Sequence, residues 1–269
     1  MQSIQKLLNI MAKLRSPQGC PWDREQDHQS IRPQLLAECY ELLEAIDELD
    51  DSAMKEELGD VLLHVVFHAQ MAKERGAFDF NAVADTLADK LVRRHPHVFA
   101  ADKVSSSDEV LGRWHEIKKK EKPERTSALS GVPKHLPALM QAQEIQKKAA
   151  RAGFDWKKTA PVLAKIREEI RELEQSVARH KIAHRHIEEE LGDLLFSLVN
   201  LSRHLKIDAE QACRLATTKF TRRFQWIEKK IGAEKFASSS LKELDVYWEK
   251  AKKALKRPKT KKNRLGGVR

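Results

Sequence analysis

Apolar residues recur at three- and four-residue intervals along most of the chain. Leu35, Leu42, Leu43 and Ile46 mark one face of a helix over Ile31 to Asp47. Glu56 to Lys73 reads as a long apolar helix. Asn81 to Arg94 opens on an N-cap type residue, Asn81, and stops before His95-Pro96. Ser107 to Lys122 starts among Ser and Asp. In the second half the same spacing predicts helices near 138–152, 160–180, 186–205, 208–231 and 239–256. Ser238-Ser239-Ser240 with Glu243 forms a capping box into the last of these. The N-terminus, with Ile4, Leu7, Leu8, Met11 and Leu14, begins as an amphipathic helix. No stretch shows the two-residue alternation of a strand. The pattern predicts an all-α protein.

The pattern also repeats. Glu56-Glu57-Leu58-Gly59-Asp60-Val61-Leu62-Leu63 returns 133 residues later as Glu189-Glu190-Leu191-Gly192-Asp193-Leu194-Leu195-Phe196. Glu38 and Glu41 return as Glu169 and Glu172. Lys90, Arg93 and Arg94 return as Lys219, Arg222 and Arg223. Trp114 and Lys118 return as Trp248 and Lys252. Cys20-Pro21-Trp22-Asp23 corresponds to Gly153-Phe154-Asp155-Trp156. Five segments in one order define a tandem duplication of helical bundles, four to five helices each. The expected division is a first repeat over 1–122, a linker over 123–137, a second repeat over 138–255 and a basic tail over 256–269. The linker holds Pro123, Gly131, Pro133 and Pro137.

Composition narrows the class. Aromatic residues make up 6% and charged residues 33%, against 41% apolar, which fits a folded helical protein. The formal charge of +10 is a local property. Residues 250–269 contain ten Lys or Arg and no acid, so the rest of the chain is neutral. The tail reads as a solvated, disordered segment that can touch nucleic acid. Cys20, Cys39 and Cys213 give neither a disulfide framework nor a zinc spacing, which fits a cytoplasmic protein. No signal-peptide layout and no membrane-length apolar run is present in the sequence.

The chemistry lies in the acidic residues beside the apolar runs. Glu190 and Asp193 share a helix face, as do Glu168 and Glu172, and Glu169 and Glu172. Folded as a hairpin, two such helices bring four or more carboxylates to one cleft. Like charges held together call for a cation, and an all-oxygen set suits Mg²⁺ or Mn²⁺. An Asp entering an apolar run is costly unless something binds it. Gly59 and Gly192 inside helices cost about 1 kcal/mol each relative to Ala, and close helix approach is the expected reason. His64 and His68, one turn apart, lack a third zinc ligand in the sequence. His180, His184 and His186 are expected in solvent at a turn between helices.

Two copies of Glu-x-x-Glu followed by Glu-Leu-Gly-Asp, with Lys-x-x-x-Arg and Trp-x-x-x-Lys downstream, resemble the MazG family of nucleoside triphosphate pyrophosphohydrolases. Cys20-Pro21-Trp22-Asp23 and Arg93-Arg94-His95-Pro96-His97-Val98-Phe99 strengthen the resemblance, which covers about residues 1–255. It implies an intertwined homodimer that uses Mg²⁺ to convert NTPs and dNTPs to monophosphate and pyrophosphate. It implies Glu169, Glu172, Glu190 and Asp193 as metal ligands, with Glu38, Glu41, Glu57 and Asp60 as a weaker second site. Glu168, Glu169 or Glu189 can activate the water. A triphosphate bridged by metal also needs cations on its free oxygens. Lys165, Lys219, Arg222 and Arg223 are the candidates. Trp248 offers a stacking face for a base or a core contact, with Lys252 one turn on.

The first repeat departs from the family pattern at Ala37, where a Glu is usual, and it carries Pro96 soon after Arg94. Its catalysis is therefore in question. The second repeat has Thr218 where an acid is usual. Two rival readings remain open on the sequence: a specialised dUTP- or dCTP-type pyrophosphatase, and a non-catalytic helical interaction protein with a basic tail.

Overall fold

In the computed structural model, residues 2–100, 104–121, 127–178 and 184–256 are described. Every regular element among them is a helix. The chain divides into two compact units, Met1–Pro123 and Glu124–Arg269. Most of the basic tail, from residue 257 onward, lies outside the described residues.

The first unit contains α1 (Gln2–Leu14), α2 (Pro21–Glu25), α3 (Arg32–Glu48), α4 (Asp51–Glu74), α5 (Phe80–Arg94), α6 (Pro96–Phe99) and α7 (Ser107–Lys120). Two starts differ from the sequence expectation because a nearby Asp caps better. Asp50 accepts from the backbone N–H groups of Ser52 and Ala53 at 2.9 and 3.1 Å, so α4 begins five residues before Glu56. Asp79 accepts from Ala82 N–H at 3.0 Å, so α5 begins before Asn81. Pro96 ends α5 and opens the short α6 at its N-terminus.

The core of this unit is Met11, Ile31, Val66, Phe67 and Met71, with Leu7, Leu8, Leu62 and Phe80 packed against it. It joins α1 to α4 and pins the start of α3. Arg15 closes the loop between α1 and α3. Its guanidinium makes two bonds to Glu74 through Nε, at 2.9 and 3.0 Å, and reaches the carbonyls of Asp23 and Gln26. Gly19 is required there, since a Cβ would lie 2.1 Å from the Leu14 carbonyl oxygen.

The second unit contains α8 (Ala138–Arg151), α9 (Thr159–Ala178), α10 (His184–His204), α11 (Ala209–Ile231), α12 (Ala233–Ser238) and α13 (Leu241–Ala254). Its centre is the α9–α10 hairpin, the counterpart of α3–α4, with α8 laid along α10. Val162, Ile166 and Val199 are buried between these helices. Gln146 on α8 donates to the Phe196 carbonyl at 2.8 Å. Buried Gln143 fixes the turn from α10 to α11. It donates to Ile207 O at 2.9 Å and accepts from Ala209 N–H at 2.9 Å. The last helix starts on Ser240, the third of the three serines, and the capping box with Glu243 is complete. Gly232 ends α11 at Ile231, as the apolar spacing predicts, and the short α12 occupies the gap before α13.

Gly59 and Gly192 do not sit at close helix approaches within the chain. A Cβ at either would meet nothing within 4 Å, so the expected packing reason fails inside one protomer. Both glycines lie on exposed stretches of α4 and α10.

Candidate metal centres

The antiparallel α9–α10 hairpin brings the acidic residues of the two helices into one group. Glu169 on α9 and Glu190 and Asp193 on α10 each offer an oxygen within 4.8 Å of the others. Glu169 is 4% exposed, so its charge is held away from solvent. Glu172, one turn further, has its carboxyl raised above the ordinary value. Partial desolvation by the neighbouring helix residues comes first, although Glu172 as a whole is exposed, and the Glu169 carboxylate comes next. Glu168 and Glu189 are exposed and each precedes a member of the group in sequence. Lys165 donates to Glu168 Oε1 at 2.7 Å and lies 2.8 Å from Glu169 Oε1. These two hydrogen bonds raise the lysine further above its ordinary value. Glu189 pairs with exposed Arg185 at 3.3 Å.

His184 and His186 belong to the first turns of α10, while His180 lies outside the described residues. His186 is exposed, as expected, and it also meets two acids. Its Nε2 lies 3.4 Å from Glu190 Oε1 and its Nδ1 3.8 Å from Glu189 Oε2. The i,i+4 spacing of His186 and Glu190 is the signal that sequence reading passed over.

The first unit repeats the arrangement. Glu38 and Glu41 on α3 and Glu57 on α4 offer oxygens within 4.8 Å of one another. Burial raises the Glu57 carboxyl, and Glu41, Asp60, Glu38 and Glu56 add to the shift. Glu57 Oε2 is shielded from water and has no hydrogen-bond partner. An orphaned carboxylate oxygen facing other carboxylates fits a cation as its missing partner. Asp60 stands on the same helix one turn on.

The cationic candidates form separate groups. On α11, Arg223 lies over the Trp248 ring at 5.6 Å, and Phe220 meets the same ring at 5.1 Å. Phe224 continues that aromatic row to Phe236 on α12 at 4.9 Å. Trp248 is therefore both a packing residue and a cation partner. Lys219 is exposed on α11, one turn before Arg223. Arg222 shares that helix with both, and Lys252 pairs with Glu249. In the first unit Arg94 lies over Trp114 at 5.2 Å and Lys118 at 4.8 Å. There Glu121 accepts from both Arg93, at 2.8 Å, and Arg94. Those bonds pull the Glu121 carboxyl down to about 2. The residue 134 positions later is Leu255, so this clamp belongs to one repeat alone.

The histidines of α4 do gain a third imidazole, His28, which the sequence separation concealed. Arg75 can only donate, so its 2.9 Å contact to His28 Nε2 places the His28 proton on Nδ1. That proton is donated to His68 Nδ1 at 2.8 Å. The ring centroids are 5.0 Å apart and the planes differ by 9°, a head-on bond between coplanar rings. Two nitrogens on one tetrahedral zinc stand about 3.3 Å apart. The pair is therefore hydrogen-bonded, and His64 remains buried beside it with Nδ1 unpaired.

Residues 26–99 and 158–227 match the family described as MazG nucleotide pyrophosphohydrolase domain. The chain is 51% identical over 251 residues to a Thermotoga maritima protein named nucleoside triphosphate pyrophosphohydrolase/pyrophosphatase MazG. That match covers 92% of this chain and 95% of the relative. It is 46% identical over 258 residues to a nucleoside triphosphate pyrophosphohydrolase of Escherichia coli strain K12, covering 94% and 98%. The uncharacterized protein YabN of Bacillus subtilis is 46% identical over 93% of this chain, which spans 51% of that longer protein.

Proposed function

The chain belongs to the MazG family of nucleotide pyrophosphohydrolases, and from that premise we propose that it cleaves nucleoside triphosphates to monophosphate and pyrophosphate at the α9–α10 carboxylate group. The observation that carries this reading is the convergence of Glu169, Glu190 and Asp193, with Glu169 buried. Glu172 completes the proposed ligand set. Mg²⁺ or Mn²⁺ held by these four would neutralise the phosphates and stabilise the charge on both sides of an in-line displacement. The chain's own residues supply the rest. Lys219, Arg222 and Arg223 present cations along one helix, and Lys252 stands near Trp248. Arg suits paired contacts to phosphate oxygens, and Lys acts as a point charge. Trp248 gives a flat face that accepts any base, which favours broad specificity. Glu168, Glu169 and Glu189 are the carboxylates that can take the water's proton.

A homodimer is part of the proposal. Leu191, Leu195 and Leu198 form an exposed stripe on α10, beside the ligands Glu190 and Asp193. Gly192 on the same helix opens onto empty space. A second copy that covers this stripe buries both and closes the cleft over the carboxylates. No helix among the described residues is long and apolar enough to cross a membrane, and the three cysteines are free thiols. These features suit a cytoplasmic enzyme. The contact of the basic tail with nucleic acid remains part of the proposal on charge alone.

The test is product analysis from a panel of NTPs and dNTPs, with Mg²⁺ and with excess EDTA. Monophosphate and pyrophosphate from several bases, lost in EDTA, is the expected result. Turnover of dUTP or dCTP alone would support the specialised reading. No turnover of any triphosphate would favour the non-catalytic one.

A further inference from the structure

The two carboxylate groups stand on equivalent hairpins, yet they differ along one turn of the first helix. In α9, Lys165 bridges Glu168 at 2.7 Å and Glu169 at 2.8 Å. Glu169 belongs to the carboxylate group, and Glu168, about half exposed, is tied to it through the shared lysine. The positions 131 residues earlier, on α3, hold Gln34 and Ala37. The first repeat thus keeps Glu38, Glu41, Glu57 and Asp60, the counterparts of the proposed ligands. It lacks the lysine and its partner glutamate together. Gln34 does not replace the lysine. With its amide nitrogen as donor, it reaches back to the carbonyls of Ser30 and Ile31 at 3.0 and 3.2 Å, toward the start of α3.

We propose that Lys165 is a positioning residue that holds Glu168 at the rim of the metal group, where Glu168 accepts the proton of the attacking water. The Lys165–Glu168 pair, rather than the ligand set, then separates the hydrolytic repeat from the other. This rests on the pyrophosphohydrolase reading above. In the step itself, the water oxygen forms a bond to the α-phosphorus. The bond from that phosphorus to the bridging oxygen breaks, and its electron pair leaves on pyrophosphate. The water's proton passes to Glu168 and then to solvent. An exposed Glu samples several rotamers, and only one of them faces the group. An ammonium shared with buried Glu169 selects that one, which is an orientation effect on the rate. Of the other two candidate bases, Glu169 already belongs to the ligand group. Glu189 is turned to Arg185.

The alternative role for Lys165 is direct contact with the triphosphate, and a double-mutant cycle on the full chain separates the two. Lys165→Met, Glu168→Gln and the double variant are compared for kcat and KM on the triphosphate that the unaltered chain turns over fastest. Bound Mn²⁺ is counted by electron paramagnetic resonance. A positioning role predicts a kcat loss of about 100-fold for each single variant. It predicts little change in KM, unchanged Mn²⁺ binding, and a double variant no slower than the slower single. Lys165→Arg, which keeps the cation, should recover much of the loss. A raised KM with losses that multiply would overturn the proposal in favour of a phosphate contact. Lost Mn²⁺ binding in Lys165→Met would overturn it too, since the lysine would then be organising Glu169. An unaltered chain that hydrolyses no triphosphate would instead refute the pyrophosphohydrolase reading.

Discussion

Lys165 Nζ lies 2.8 Å from an oxygen of Glu169, a carboxylate that is 4% exposed and belongs to the α9–α10 group. One positive charge therefore faces a set of acids at one edge. A cation held there would offset the remaining repulsion among Glu169, Glu172, Glu190 and Asp193. In the first unit the matching position is Gln34, and Glu57 Oε2 is left without a partner.

The bond that breaks is the first consequence to test. Attack at the α-phosphorus puts the water oxygen into the monophosphate. Hydrolysis in ¹⁸O-water, read by mass spectrometry, should place the label in NMP. Label in pyrophosphate would mean attack at the β-phosphorus and a different arrangement of the triphosphate over the carboxylates.

The apolar stripe on α10 gives a second. Leu195 is 46% exposed in one chain and should be buried in a dimer. Leu195→Asp places a charge in that interface, which is strongly unfavourable when desolvated. Light scattering should find a dimer of the 30.9 kDa chain before the change and a monomer after it. A monomer from the unaltered chain would remove the stripe as an interface.

Much of this was legible in the sequence because it follows from local rules. The helices came from apolar spacing, and the two carboxylate groups from Glu-x-x-Glu and Glu-Leu-Gly-Asp in duplicate. Ser240 as a cap followed from its spacing to Glu243. Contacts between distant segments were not legible. Arg15 with Glu74, His28 with His68, and Arg203 with Asp155 at 2.9 Å each join residues at least 40 apart. Their pairing depends on how helices pack, and charge pattern alone offers many equivalent partners. Gly59 and Gly192 misled for a related reason. A glycine in a helix is a local signal, and what packs beside it is not written in the local sequence.

The Glu121 clamp gives a pH dependence with a definite sign. Its folded-state value, about 2, lies below the ordinary 4.5, chiefly because Arg94 and then Arg93 donate to it. A depressed carboxyl adds stability that is complete above the unfolded value and is lost as pH falls toward the folded one. The melting difference between the unaltered chain and Glu121→Gln should thus be full near neutrality. It should shrink between about pH 4.5 and 2. A difference that does not change over that window would show that the arginines find other partners.

The division of labour between the repeats is the claim on which the rest depends, and matched substitutions address it most directly. Glu190→Ala removes a ligand from the group that also has Lys165 and Glu168. Glu57→Ala removes its counterpart from the group that lacks both. Steady-state hydrolysis should fall by about 100-fold or more for Glu190→Ala, since a few kcal/mol of transition-state stabilisation is lost. Glu57→Ala should keep most of the activity, with circular dichroism showing both variants folded. The account would be contradicted if Glu57→Ala cripples hydrolysis while Glu190→Ala leaves it intact.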